Sequence, residues 1–259
     1  MTIRGLWNAA GGMRAQQQKI DVTAHNIANV NTTGYKKKTT LFSDLVYQSI
    51  ERRGNAVEPA AAGEHPKTVG VGSKVAAIRS DLRPGTYLQT DRDLDMAIVG
   101  DGYFQITLPG GGMAYTRDGS FSRDSEGNIV NSQGYRVVFP QLPEGQYELN
   151  VAPEGAVSAV YEDGTAVPLG MLQLAYFDNP HGLEQLGDNL LQATPASGAA
   201  LLAFPGEGSR VSQGYLESSN VDLAEELTQM IINQRSFELN SRALRTAEEM
   251  WSIANQLYR

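Results

Sequence analysis

The sequence predicts an α+β fold. Long N- and C-terminal helices pair as a coiled-coil-like layer, and an antiparallel β-rich domain is inserted between them. Large apolar residues recur at every seventh position near both ends of the chain, which is typical of a helix that buries one narrow seam against another helix. The middle of the chain has no such repeat, and it is punctuated by many of the 27 glycines and 11 prolines that turn-rich β-structure requires.

The N-terminal helix is predicted over residues 3–30, within a first domain of residues 1–40. Its seam is formed by apolar residues seven apart, namely Leu6, Met13, Ile20 and Ile27. Gly11 and Gly12 interrupt the pattern and indicate a kink or a close approach of another backbone. Gly34 can take the left-handed conformation that ends a helix.

Residues 41–70 are predicted to be an extended linker. Residues 41–47 are apolar enough for a strand or a helix. Residues 51–68 contain two arginines, an alanine-glycine run and Pro66, a composition that indicates an extended or mobile loop.

The β-rich domain is predicted over residues 71–215. Turn pairs such as Asp101-Gly102 and Asp118-Gly119 separate short strand candidates at residues 75–78, 97–99, 103–106, 135–139 and 172–177. Strands at this spacing favour an antiparallel sandwich or a partly open barrel. Strands and helices do not alternate, so a parallel sheet is not expected.

The C-terminal domain is predicted over residues 216–259, with one helix of about 60 Å over residues 219–258 and an N-cap within Ser218-Ser219-Asn220. Its apolar seam consists of Leu216, Leu223, Met230, Phe237, Leu244, Trp251 and Tyr258. A second seam position begins with Leu227 and continues with the polar residues Gln234, Ser241, Glu248 and Asn255. Polar seam residues lower stability but fix register and partner, so these positions indicate an assembly interface with one geometry.

The net charge and the lack of cysteine argue against some classes of function. The formal net charge is −8, which argues against a nucleic-acid partner. Residues 1–38 carry a net charge of +5 and residues 216–259 carry −3, which favours packing of the two ends against each other. The chain has no cysteine, so it has no disulfide and no thiolate metal site.

Motifs for catalysis or ligand binding were not found, and no catalytic, cofactor-binding or metal-binding residue is predicted. The three histidines are far apart in sequence. Residues 91–95 begin like a calcium loop, but Met96 and Gly102 stand where that loop needs a glycine and a glutamate. Nucleotide-binding loops and nucleophile elbows are missing, so no small-molecule substrate is expected.

The N-terminal sequence has no unbroken apolar segment typical of a cleavable signal peptide. The sequence also has no run of about 20 apolar residues that would span a membrane. We therefore expect either a cytoplasmic protein or export by a route that does not use a cleaved signal.

Three segments, in order, resemble the rod, hook and hook-associated family of bacterial flagellar axial proteins. They are residues 28–36, residues 94–104 together with 115–121, and residues 214–222 continuing to Arg235. The positions that carry the resemblance are Asn29, Gly34, Tyr35, Asp101, Gly102, Gly119, Asn220, Gln234 and Arg235.

The length is similar to that of rod components with one β-domain, and residues 45–48 resemble the distal-rod members more than the proximal ones. His25 stands where the distal-rod pattern often has asparagine, and Gly11-Gly12 is richer in glycine than usual. A proximal-rod or hook-like paralogue therefore remains the alternative within the family.

The resemblance implies a structural subunit of the flagellar basal body that is exported unfolded by the flagellar export apparatus. The terminal helices would form the inner assembly domain of a helical homopolymer, with the β-domain outside. This hollow shaft would contact neighbouring rod and hook proteins, transmit motor torque to the hook and form part of the export channel. No cofactor is implied.

Two other classes of function, an enzyme and a binding module, are alternatives to a polymer subunit. An enzyme would need a convergent acid, base or nucleophile, and none stands out. A module that binds cell-wall glycan could stack sugars on Tyr103, Tyr115 and Tyr135, although cross-strand packing explains these tyrosines more simply.

Overall fold

The computed structural model describes residues 2–45, 47–49, 68–70, 72–143, 145, 147–206 and 208–256. The chain forms two compact units. The first, which we call the helical unit, comprises Met1–Ile27, Lys38–Arg79 and Leu223–Arg259. The second, the β unit, comprises Ala28–Lys37 and Ser80–Asp222. The fold class is α+β, as predicted.

The helical unit contains two long helices, α1 at Thr2–Ala28 and α2 at Leu223–Gln256. The 34 residues of α2 span about 51 Å. The described residues of the unit also form four strands, β1 at Lys38–Asp44, β2 at Tyr47–Ser49, β3 at Thr68–Gly70 and β4 at Ser73–Ser80. Strand β1 pairs with β4, and β2 pairs with β3.

Helix α1 continues through Gly11 and Gly12, and both glycines lie where other atoms come close. A Cβ atom on Gly11 would lie 3.7 Å from the carbonyl oxygen of Ser73. A Cβ atom on Gly12 would lie 3.2 Å from Nδ2 of Asn240. The contact at Gly11 is an ordinary one with another backbone, and the tight neighbour of Gly12 is a side chain rather than the backbone that was expected.

The units divide the chain differently from the predicted domains. Residues 38–79 cluster with the helices because β1 pairs with β4 across the intervening segment. The range 41–70, predicted as a linker, thus contains β2, β3 and most of β1. Residues 28–37 belong to the β unit rather than to the N-terminal helix. The loop expected at 51–68 lies outside the described residues, except for Thr68.

The β unit contains sixteen strands among its described residues: β5 (Tyr87–Gln89), β6 (Met96–Gly100), β7 (Phe104–Thr107), β8 (Met113–Thr116), β9 (Ser122–Arg123), β10 (Ile129–Val130), β11 (Arg136–Val137), β12 (Glu148–Val151), β13 (Ala156–Val160), β14 (Ala166–Met171), β15 (Leu174–Tyr176), β16 (Glu184–Gly187), β17 (Leu190–Gln192), β18 (Leu201–Ala203), β19 (Ser209–Gln213) and β20 (Tyr215–Glu217).

These strands form several sheets rather than one. The largest has seven strands in the order β16-β17-β8-β7-β11-β10-β9, and a second has the order β12-β13-β14. The remaining described pairs are β15 with β18, β19 with β6, and β20 with β5. The recorded pairings within the unit are antiparallel, as the spacing of the strand candidates predicts.

The core of the β unit is apolar and well packed. It includes Met96, Ile98, Phe104, Ile106, Phe121, Val157, Leu172, Leu174 and Val211. Phe104 and Phe121 meet edge to face with ring centroids 5.1 Å apart. Two strand candidates are shorter than expected, since only 136–137 of residues 135–139 and 174–176 of residues 172–177 are strand.

Candidate functional site

The two helices of the helical unit contact each other through buried polar side chains. Asn26 Nδ2 donates to Glu226 Oε2 at 3.1 Å, and Asn233 Nδ2 donates to Thr23 Oγ1 at 3.4 Å. Asn26 is 1% exposed and Asn233 is completely buried. Thr23 precedes Asn26 in α1, but its partner Asn233 follows Glu226 in α2. The two helices therefore run antiparallel.

The predicted apolar seam flanks these polar contacts. Seven of its residues are half-buried, namely Leu6, Met13, Ile20, Ile27, Met230, Phe237 and Leu244. Leu223, Leu227 and Trp251 are exposed. The assignment of Leu216 to the helical seam is wrong, because it lies in β20 opposite Leu88 of β5. Tyr258 lies outside the described residues.

The polar residues of the predicted second seam position are not the ones that contact α1, and their place in an assembly interface stays a prediction. Gln234, Glu248 and Asn255 are exposed, and Ser241 is half-buried. The covered positions lie one residue earlier, at Glu226, Asn233 and Asn240. They come three residues after an apolar seam residue rather than four, which is the other flank of a helix with 3.6 residues per turn.

The opposite side of α2 is strongly apolar and exposed. It carries Leu227, Ile231, Ile232, Leu239, Met250 and Ile253, which we call the outer face. Leu227 is 46% exposed and Ile231 is 59% exposed. Charged residues such as Arg235 and Arg242 are also exposed on this side, so α2 is not apolar all round, but several large apolar side chains exposed on one side of a helix indicate a surface that binds a partner. The outer face is therefore the candidate assembly surface.

Two signature residues, Gly34 and Tyr35, hold the segment after α1 within the β unit. Gly34 has the predicted left-handed conformation, with φ at 68°, but it does not end the helix as expected, because α1 already ends at Ala28. A Cβ atom there would lie 2.8 Å from the carbonyl carbon of Arg117, so no larger residue fits. The preceding Thr33 donates from Oγ1 to Asp118 Oδ1 at 2.7 Å. Tyr35 is buried.

A buried ion cluster lies in the same part of the β unit. Glu217 is 1% exposed and accepts from Lys36 Nζ and from the backbone N–H of Gly85 at 3.1 Å. Its second carboxylate oxygen lies 3.5 Å from Arg117 NH1. Burial lowers the pKa of Lys36, and Glu217 partly offsets that effect. The Arg117 guanidinium also lies over the ring of Tyr103 at 5.2 Å.

The signature residue Asn220 does not cap α2, which begins three residues later at Leu223. The predicted N-cap is thus wrong at this position. The Asn220 side chain instead binds the backbone of residues 37, 81 and 83. Its amide has the same hydrogen-bonding capacity that a cap uses, but its partners are distant in sequence.

The other signature residues serve different purposes. Gly119 permits a close backbone approach, since a Cβ atom would lie 1.6 Å from the carbonyl oxygen of Met96. Gly102 has φ at 120° and packs against Leu174 and Tyr176. Asp101, Gln234 and Arg235 are exposed. Arg235 pairs with Glu238 one turn further along α2.

The sequence interpretation missed the polar seam and the ion cluster. A signal for the seam was present, because Glu226, Asn233 and Asn240 are spaced by seven, as are Gly12, Lys19 and Asn26. The ion cluster had no local signal, since 181 residues separate Lys36 from Glu217.

The tyrosines proposed to stack sugars do not form an exposed platform. Tyr103 and Tyr115 are buried, and both pack edge to face on Phe177. Tyr135 is half-buried. The cross-strand packing interpretation is therefore supported for Tyr103 and Tyr115, and this removes the observation on which a glycan-binding module depended.

Within the described part of the chain, no three His, Asp or Glu side chains are grouped so that they could hold a metal ion. Neither described helix has an apolar stretch long enough to cross a membrane.

Three family models match the chain in order along its length. "Flagella basal body rod protein" matches residues 6–36, "Flagellar hook protein FlgE/F/G D1 domain" matches residues 97–159, and "Flagellar basal body rod FlgEFG protein C-terminal" matches residues 212–257.

Whole-chain relatives agree with these models. The chain is 43% identical to the flagellar basal-body rod protein FlgG of Borreliella burgdorferi, over 99% of both chains. It is 38% identical to the protein of the same name from Bacillus subtilis, over 96% of both chains. Identity to the flagellar hook-basal body complex protein FlhP of Bacillus subtilis is 31%, over 98% of this chain and 99% of that one.

Proposed function

We propose that this chain, which belongs to the family of the flagellar basal-body rod protein FlgG and is a structural subunit of the rod in the bacterial flagellar basal body, polymerises through its terminal helices. In this proposal the subunits form a hollow helical shaft that belongs to the distal rod. The shaft transmits motor torque to the hook and encloses part of the export channel.

The outer face of α2 is the observation that carries this proposal. The seam side of α2 contacts α1 within the subunit, through Glu226 and Asn233. The outer face then leaves large side chains such as Ile231 and Leu239 exposed to water. Full burial of such a side chain contributes about 1.5–3 kcal/mol, and because these side chains are already partly covered, a second copy of the chain on this face would contribute roughly 1–2 kcal/mol for each.

The polar seam supports one defined geometry for the helices. In the observed antiparallel register Asn26 donates to Glu226 and Asn233 donates to Thr23. A shift by one turn would leave buried amide or carboxylate groups without partners, which costs about 1–3 kcal/mol for each group. Polar seam groups thus select register at some cost in stability, as a polymer of identical subunits requires.

The partners follow from this role. Copies of the same chain are the main partner, and neighbouring rod and hook proteins cover the two ends of the stack. The flagellar export apparatus delivers the chain to the growing rod. We propose no enzymatic activity, cofactor, nucleic-acid partner or small-molecule substrate.

Deletion and tagging in the source bacterium test the proposal. An epitope tag can be placed between Gly110 and Gly111, in an exposed turn where a Cβ atom added to either glycine would meet no neighbouring atom within 4 Å. We expect the deletion strain to be non-motile and to lack hooks, and the tagged chain to restore motility. Antibody should label the rod of isolated basal bodies from the tagged strain and not those from the untagged parent. Normal motility of the deletion strain, or label elsewhere on the basal body, would contradict the proposal.

A further inference from the structure

The chain passes between the β unit and the helical unit at four points, and three of them meet in one place within the β unit. These three crossings lie between residues 37 and 38, 79 and 80, and 222 and 223. Lys37, Asp81 and Asn220 are the residues of the β unit beside them. We call residues 34–37, 81–86 and 217–220 the crossing joint.

One side chain of segment 217–220 binds both of the other segments of the crossing joint. Asn220 Oδ1 accepts from the backbone N–H of Lys37 at 2.7 Å. Asn220 Nδ2 donates to the carbonyl oxygens of Asp81 at 2.9 Å and Arg83 at 3.0 Å. All three of these hydrogen bonds of the Asn220 amide are made with main-chain atoms. Main-chain partners mean that Asn220 constrains the path of the chain rather than other side chains.

The same three segments also bind one another directly. The N–H of Asp81 donates to the carbonyl oxygen of Lys37 at 2.8 Å, and the N–H of Gly34 donates to that of Glu217 at 2.8 Å. The N–H of Ser218 donates to the carbonyl oxygen of Thr86 at 2.8 Å. The segments are close-packed, because a Cβ atom on Gly85 would overlap the carbonyl oxygen of Ser218 at 2.0 Å.

We propose that Asn220 is the positioning residue of the crossing joint, and that it makes the three crossings move as one body. Without its amide, the segments keep only their direct main-chain hydrogen bonds, and their motion relative to one another increases. With the amide in place, a load applied along any one segment is shared by all three. The mechanical part of this inference rests on the proposed function, since torque along the rod is the load that the joint would carry.

Gln213 offers a matched control within the same unit. Its Oε1 accepts from the backbone N–H of Val151 at 2.8 Å, and its Nε2 donates to the carbonyl oxygens of Asp93 at 2.9 Å and of Leu149. Gln213 is half-buried, as Asn220 is. Both amides therefore make one accepted and two donated main-chain bonds, but only Asn220 lies in the crossing joint.

Hydrogen exchange on the full-length chain tests the joint directly. In Asn220→Ala, the Lys37 amide loses its partner and should exchange about tenfold faster. The proposal further requires faster exchange at Asp81 and Gly34, whose amides bond to other groups and not to Asn220. Gln213→Ala should leave all three amides protected. Faster exchange at Lys37 alone would overturn the proposal, because it would show a local bond without coupling.

Motility under load distinguishes a mechanical role of Asn220 from a role in stability alone. Both alanine variants should lower the melting temperature of the β unit by similar amounts. At matched protein level, only Asn220→Ala should lose swimming in viscous medium, and Asn220→Asp should not rescue it, since a carboxylate cannot donate to the two carbonyls. Equal swimming by both alanine variants would overturn the mechanical role. If deleting the whole chain left motility intact, the proposed function would fail instead, and the exchange result would still decide the joint.

Discussion

Replacing Glu217 with leucine is expected to lower the free energy of unfolding of the β unit by about 3–5 kcal/mol. The carboxylate is buried between Lys36 and Arg117, whose side chains are 12% and 8% exposed. Removing it takes away the carboxylate that pairs with both of these nearly buried cations, and only the electrostatic effect of Asp81 on Lys36 remains. Burial already lowers the pKa of Lys36, and the variant removes the carboxylate that opposes this effect.

A urea denaturation of the β unit measures the change, with Glu126→Leu as the control. Glu126 pairs with Arg136 at 2.6 Å, but both side chains are mostly exposed, so its loss should cost at most about 1 kcal/mol. Replacing the whole cluster, as Lys36→Met, Arg117→Met and Glu217→Leu together, should recover much of the lost stability. Equal effects of the Glu217 and Glu126 variants would show that the cluster does not stabilise the unit.

Ile231→Asp is expected to abolish polymer formation and motility while the subunit stays folded. Ile231 is 59% exposed on the outer face, so the monomer tolerates a carboxylate there. In the polymer the same carboxylate would have to lose its water, at a cost of several kcal/mol without a partner.

The matched control is Ile231→Leu, which changes shape but keeps the position apolar and should assemble normally. Polymer can be followed by sedimentation of the purified full-length chain, and folding by the melting temperature of the β unit. Normal assembly of the Asp variant would mean that the outer face is not buried between copies.

The helices were predictable from the sequence because their periodicity extends over four or more repeats. The apolar seven-residue repeat was assigned wrongly at its first position. Leu216 lies seven residues before Leu223, but one interval cannot distinguish a strand from a helix, and Leu216 is in β20. The side of α2 that faces α1 is identified by the seven-residue spacing of Glu226, Asn233 and Asn240. The seam was instead predicted from the apolar repeat alone.

Contacts within the β unit were less accessible to sequence reasoning. Antiparallel strands and tight turns followed from local composition, and Gly34 adopted the left-handed conformation its position predicts. The partners of Glu217 and Asn220 depend on the tertiary path of the chain. Arg117 lies 100 residues from Glu217, and Asp81 lies 139 residues from Asn220. The sequence shows that Asn220 can form hydrogen bonds through its amide. It does not show whether the amide caps a helix or binds residues distant in the chain, because both roles use the same groups.

Hydrogen exchange of the full-length chain, measured as monomer and as assembled polymer, tests the central claim of assembly through the terminal helices. Without partners, the narrow polar seam buries little apolar area, so amides of α1 and α2 should exchange rapidly in the monomer. On assembly, their protection should rise many-fold, while the strands of the β-unit core should be protected in both states. Strong protection of both helices in a proven monomer, unchanged on assembly, would contradict the account.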